Sequence, residues 1–273
     1  MSTQSSKHIV RNLVIFTFLV YALGWLGRWV DSLSGGPPSE QGIGILIWLV
    51  APLGVSLLMR AFAGDGWGDL GIRSAIKGNL LWYIVSILVY PVCTAFILVI
   101  GSALGAVSLS GFSVGAFVQA VALAVIPGLF TAIEEFGWRG YLAPKVYKLE
   151  LNAFVAHAVV GIIWGAWHIP YFSVFWSHSM QNVPLFVLCF FLGAVVHSVV
   201  YGEIRMQTDS VWPAFLMHAV SNAVNNPLIQ QGFVKMASGK ELLVSPGIEG
   251  ILGIIFLALV GVGLHRLRTR SAT

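Results

Sequence analysis

Apolar positions in this chain gather into long runs separated by short polar breaks. A helix needs roughly 20 apolar residues to cross a bilayer core. Eight runs approach that length: 13–30, 42–62, 80–104, 114–135, 153–171, 184–201, 211–228 and 248–264. The seventh is the least apolar, interrupted by His218, Ser221, Asn222 and Asn225, but these residues recur at helical spacing and the run is kept as a helix. The breaks carry helix breakers, as in Gly35-Gly36-Pro37-Pro38 and Gly64-Asp65-Gly66. No internal repeat, low-complexity tract or room for a soluble domain is visible. The pattern predicts an all-α, polytopic membrane protein of about eight transmembrane helices. Residues 1–273 form one integral membrane domain, with a motif-bearing core at about 114–228.

Composition sharpens this. Of 273 residues, 57% are hydrophobic and only 10% charged, against about 25% charged in a soluble domain. The mean hydropathy is +0.85. So little polar surface cannot solvate an ordinary globular fold. The net charge of +4 reads as membrane orientation rather than nucleic-acid binding, because the basic residues cluster at the ends of apolar runs. With eight spans, one side holds Lys7, Arg11, Arg60, Arg73, Lys77, Arg139, Lys145, Lys148, Arg205, Arg266, Arg268 and Arg270, which is 12 of the 15. The other holds Arg28, Lys235 and Lys240, the remaining 3. That bias places both termini in the cytoplasm, in the plasma membrane if the source is prokaryotic. The first run reads as a retained span, not a cleaved leader. Cys93 and Cys189 lie inside apolar runs, without disulfide or zinc spacing.

Against this apolar background, ionisable residues at membrane depth stand out. Each costs about 2.5–3.5 kcal/mol near a helix centre on insertion scales. Glu134 and Glu135 close the fourth run. Arg139 follows Glu135 by four residues, so the two share a helix face and can pair. Glu134 lies about 100° further round. The spacing predicts that Glu135 is tied to Arg139 while Glu134 stays free for chemistry, where an acid in an apolar setting suits a general base. The bland alternative is a charge pair that ends the helix. His168 closes the fifth run, as a catalyst or a structural hydrogen-bonder. His218 and Asn222, four apart on the seventh run, can present two N–H donors to one point, as an oxyanion site needs. They can equally be interhelical glue. His157 reads as structural, His197, His178 and Glu203 as structure, surface or access, and His8 and His265 as solvated. Pro127 and Gly128, about two turns before Glu134, are expected to kink the helix and open a pocket.

The order of these features is more specific than any one of them. Glu134-Glu135-x-x-x-Arg139, then Trp164-x-x-x-His168, then His218-x-x-x-Asn222 resembles the CPBP family. That family comprises the CAAX prenyl endopeptidases of the Ras-converting type and the bacteriocin-processing or Abi-like membrane proteins. The flanking Arg139-Gly140, Trp167-His168-Ile169-Pro170 and 210–214 segments look alike too. The second motif usually has Phe where this chain has Trp164, an aromatic for an aromatic. The resemblance covers about 130–226 with motif-level detail.

The resemblance implies a glutamate-type intramembrane endopeptidase with a conical cavity. Glu134 and His168 would activate a water, His218 and Asn222 would stabilise the oxyanion, and Glu135 and Arg139 would hold the site together. No serine or cysteine has a suitable neighbour, which leaves water as nucleophile. Its partners would be a peptide or membrane-protein substrate and the lipid bilayer, with no nucleic acid and no cofactor. Rivals remain: a zinc peptidase using Glu134, His168 and His218, a non-catalytic immunity or scaffolding protein, and a transporter. No symmetric repeat supports the transporter. The site is expected near the cytoplasmic side, because Glu134 and Arg139 lead into a basic loop.

Overall fold

The computed structural model describes residues 5–33, 35 and 42–271. The breaker at 36–38 lies outside them. Nearly everything described is helix: α1 (Ser6–Ser32), α2 (Ile43–Phe62), α3 (Leu80–Ala103), α4 (Val114–Leu129), α5 (Thr131–Gly137), α6 (Ala143–Tyr147), α7 (Ala153–Trp167), the short α8 (Phe172–Phe175), α9 (Val183–Thr208), α10 (Trp212–Gln230), the short α11 (Glu241–Val244) and α12 (Ile251–Ser271). Two-residue strands β1 (Val107–Ser108) and β2 (Lys235–Met236) pair antiparallel beside the far ends of α3 and α10.

Six of these segments are long and apolar enough to cross a membrane, and the bent pair Val114–Leu129 and Thr131–Tyr147 makes a seventh if it is one span. The expected count of eight is therefore not reached by length and apolarity. The shortfall is α10, a helix of 19 residues whose polar side chains lower its hydropathy. Large apolar side chains point outward along the bundle, with Phe18 68%, Leu123 68% and Leu259 71% exposed. In water such a surface would be a liability; against acyl chains it is the favoured one.

Close helix contacts position the core. α1 packs on α2, α7 on α9, and α12 on α9. Gly161 lets α7 approach α9, where a Cβ would sit 2.7 Å from the Ala194 carbonyl oxygen. Gly137 does the same for α5 against α2, where a Cβ would sit 2.5 Å from Pro52 Cβ. Small residues at such crossings are how membrane helices gain contact area. α4 and α5 meet at a 42° bend. The break falls at Phe130–Thr131, three residues after Pro127, and the Thr131 hydroxyl donates to the Gly128 carbonyl at 2.7 Å.

Between α5 and α6 lies one π-helical turn, Trp138–Leu142. There the Ala143 N–H donates to the Trp138 carbonyl, five residues back. Two arginines occupy carbonyls of this turn. Arg60 donates to Gly140 O, and Arg205 Nε donates to Arg139 O at 3.1 Å. They come from the last turns of α2 and α9, beside the 63–71 loop, where Arg60, Lys145 and Lys148 converge on Asp69 at 2.7, 3.0 and 2.5 Å. Tyr141 donates to Asp65 at 2.5 Å and Lys145 to the Asp65 carbonyl at 2.8 Å. Burial alone would raise the Asp69 carboxyl, but Lys148, Arg60 and Lys145 outweigh it and hold it down at about 2.

Candidate active site

A cavity of about 690 Å³ opens among α2, α4, α5, α7, α9 and α10, and Glu134, His168, His218 and Asn222 all line it. Three separate stretches of chain thus deliver the four residues to one space. Glu135 and Arg139 are fully buried behind it.

The two glutamates differ as their spacing requires. Arg139 Nη1 donates to Glu135 Oε1 at 3.0 Å, and the Arg139 guanidinium lies over the rings of Tyr201 and Trp164, 4.3 and 4.8 Å from their centroids. Glu134 lines the cavity and accepts a long, 3.4 Å bond from Trp164 Nε1. His218 Nδ1 lies 2.9 Å from the same Glu135 Oε1 that Arg139 uses. An ionised carboxylate only accepts hydrogen bonds, so Nδ1 carries a proton. Glu135 therefore anchors two members of the set at once.

His168 is held differently. It caps α7, and its Nδ1 lies 2.9 Å from the Trp164 carbonyl. A carbonyl cannot donate, so the proton sits on Nδ1 and the neutral ring keeps its lone pair on Nε2. Five aromatic rings surround it, Trp48, Trp164, Trp167, Trp176 and Phe190, at 4.7–5.9 Å between centroids. Trp48 from α2 stacks on Trp167 at 4.0 Å and donates to its carbonyl, which fixes the end of α7. Asn222 is half-buried, with no side-chain hydrogen bond among the described residues.

Sequence reasoning passed over two residues here. His197 lines the same cavity, with Nδ1 2.8 Å from the Gly193 carbonyl and so in the tautomer of His168. Tyr201 covers the Arg139 guanidinium. Their four-residue spacing on α9 was the available signal, since it puts both on one face. His157 is structural, bonded to buried Glu203 at 3.0 Å. The expectation that His265 is solvated fails: its Nδ1 meets Glu203 at 2.9 Å, and Arg268 completes the cluster. Among the described residues, no three His, Cys, Asp or Glu side chains gather as a metal-binding group.

The cavity floor, with Glu134 and His218, lies toward the end of the bundle that carries the basic cluster. His218 is six residues into α10, roughly 9 Å by helical rise. The mouth is at the other end, where the first turns of α2 (Ile45, Leu46), the Trp176–His178 loop and Pro246–Ile248 meet Gln230 at the end of α10. Ile45, Leu46 and Leu49 of α2 and Leu123, Ala124 and Pro127 of α4 make the apolar walls.

Residues 111–224 match the family model of the Rce1-like type II CAAX prenyl endopeptidases. That segment, 114 of the 273 residues, is similar to the Rce1-like family. It spans α4 to α10 and contains all three motifs, so the match and the motif resemblance name the same family. Rce1-like proteins are a protease family, which supports peptide hydrolysis by an integral membrane protein. No curated relative matches the chain.

Proposed function

We propose that this protein is an intramembrane endopeptidase that cleaves a membrane-associated or lipid-bearing peptide with a water activated by Glu134 and His168. The observation that carries the reading is the contrast at the cavity: Glu134 has one long bond from Trp164 and His168 Nε2 has none among the described residues, while behind them Glu135, Arg139 and Nδ1 of His218 are bonded to one another. A base needs the first condition and a scaffold the second. Glu134 takes the water's proton as oxygen attacks the scissile carbonyl, with His168 Nε2 as the second acceptor. The oxyanion meets the Asn222 amide and His218. With Nδ1 already donating to Glu135, His218 donates from Nε2 only as the doubly protonated ring, whose charge Glu135 balances. The same proton returns to the leaving amine.

The reading is metal-free, against a zinc site on Glu134, His168 and His218. Purified protein should keep its activity after chelation and carry no stoichiometric zinc. Reversible loss of activity with loss of one zinc per chain would overturn it. The non-catalytic reading is tested by substrate trapping with Glu134→Ala, where an enzyme accumulates uncleaved peptides that the wild type converts. On orientation, basic side chains from the ends of α2, α6 and α9 meet around Asp69, which supports a cytoplasmic location for that end and for both termini.

A further inference from the structure

α10 carries more polar residues than the site uses. His218 and Asn222 are the first two rungs of a four-residue repeat that continues through Asn226 and Gln230. All four line the cavity. Asn226 and Gln230 are exposed to it, and Asn226 makes no side-chain hydrogen bond among the described residues. Each rung turns about 40° from the last and rises about 6 Å. The ladder therefore climbs from floor to mouth, about 12 Å from Asn222 to Gln230. Neighbouring Asn225 is committed elsewhere, accepting from Thr94 at 2.6 Å.

We infer that this ladder binds the main chain of an extended peptide, reading about four residues on one side of the scissile bond. The inference rests on the endopeptidase reading and adds the conformation of the substrate. An extended strand advances about 3.3 Å per residue and repeats its edge groups every two residues, or about 6.6 Å. That nearly matches the rung spacing, and about four residues cover 12 Å. A primary amide offers both a donor and an acceptor, the pair needed by one backbone N–H and C=O. Inside a bilayer a helical segment satisfies its own backbone and gains little from such a wall, whereas an extended one has its groups unpaired. The apolar walls on α2 and α4 accept side chains without regard to hydrogen bonding. The cavity is thus built for an unwound segment read through its backbone, with broad side-chain tolerance.

The test uses full-length protein in proteoliposomes and a library of membrane-anchored eight-residue fluorescent peptides. These are native, or N-methylated at alternate residues in one of two phases. Binding is read on Glu134→Gln protein and cleavage on the wild type. One phase should weaken binding by about tenfold, as expected for one or two lost hydrogen bonds, and the other should not. Asn226→Leu and Gln230→Leu should erase the difference between phases. Equal binding of both phases overturns the inference, as does a phase difference that survives both substitutions. Phase-dependent binding without cleavage by the wild type would sink the protease reading and leave the ladder standing; cleavage without phase dependence does the reverse.

Discussion

Two charge clusters meet the bent α4–α6 segment at different heights, and they are built on opposite plans. Around Asp69 and Asp65, at the end of the bundle, Arg60, Lys145 and Lys148 hold the Asp69 carboxylate, Lys145 and Arg205 take the Asp65 and Asp69 carbonyls, and Tyr141 donates to the Asp65 carboxylate. Around Glu134 and Glu135, about three to four turns before Lys145 and Lys148, pairing is incomplete. Glu135 Oε2 and Nε and Nη2 of Arg139 are buried without a partner, and Glu134 has one long bond. A satisfied cluster stabilises a loop. In the second cluster Glu135 is buried behind the cavity and Glu134 alone faces it, an incompletely paired arrangement of the kind found at functional sites. Burial of charge alone does not separate the two, nor does an unpaired donor, since Arg60 Nε also lacks a hydrogen-bond partner among the described residues; the number of cations on the Asp69 carboxylate, against one long bond on Glu134, does.

The sharpest way to break this comparison is Glu134→Gln. It should cut turnover on the order of 10²–10⁴-fold, the range of a lost general base, with yield and melting temperature unchanged. A fall in stability with turnover intact would place Glu134 with the structural cluster. Arg139→Ala comes next. Removing one partner of a buried pair costs about 3–5 kcal/mol, so membrane yield should drop together with turnover. Arg139→Lys should recover part of both, because the flat guanidinium between Trp164 and Tyr201 is not replaced. Normal yield and activity of Arg139→Ala would refute the pairing as a support.

A labelling experiment sharpens the contrast between the two ends. With the basic end in the cytoplasm, an impermeant thiol reagent added to intact cells should reach Gln231→Cys at the mouth and spare Arg266→Cys. The opposite pattern would invert the orientation and put the mouth in the cytoplasm. The smallest effect is expected at Asp69. Its carboxyl is held at about 2 against about 3.9 in an unfolded chain. Its contribution is complete above about pH 4 and is lost as pH falls toward about 2. Thermal melts of Asp69→Asn should start lower at neutral pH and lose that acid dependence, with turnover retained. A parallel decline with the wild type would show that Asp69 is not the group responsible.

Much of this was legible from spacing. Glu135 and Arg139 share a face because they are four residues apart, and the helix continues far enough to let them meet. The break near Pro127 followed from local chemistry. What could not be read were contacts made across the fold. His218 and Glu135 are 83 residues apart, so the tie that fixes the His218 tautomer leaves no local trace. His197 resembles any other histidine on a long helix until α9 is placed against the cavity. Arg60 and Arg205 entered the sequence argument only as charges to be counted for orientation. The count of eight spans is not confirmed at α10, because the test for a span is apolarity and this helix carries polar residues along the cavity. The site was also expected near the basic side; its floor is, but its mouth opens at the opposite end.

The π turn at Trp138–Leu142 has one more consequence. It inserts an extra residue between the segment that holds Glu135 and the one that holds Lys145. Everything after it is rotated by about 100° relative to an uninterrupted α-helix. Deleting one residue from that turn would restore regular winding and leave the flanking segments in place, because the extra residue is absorbed within the turn. What would change is the set of groups the turn presents: the Arg139 side chain to Glu135, and the Arg139 and Gly140 carbonyls to Arg205 and Arg60. A one-residue deletion there should therefore break those contacts while Lys145 stays near Asp69.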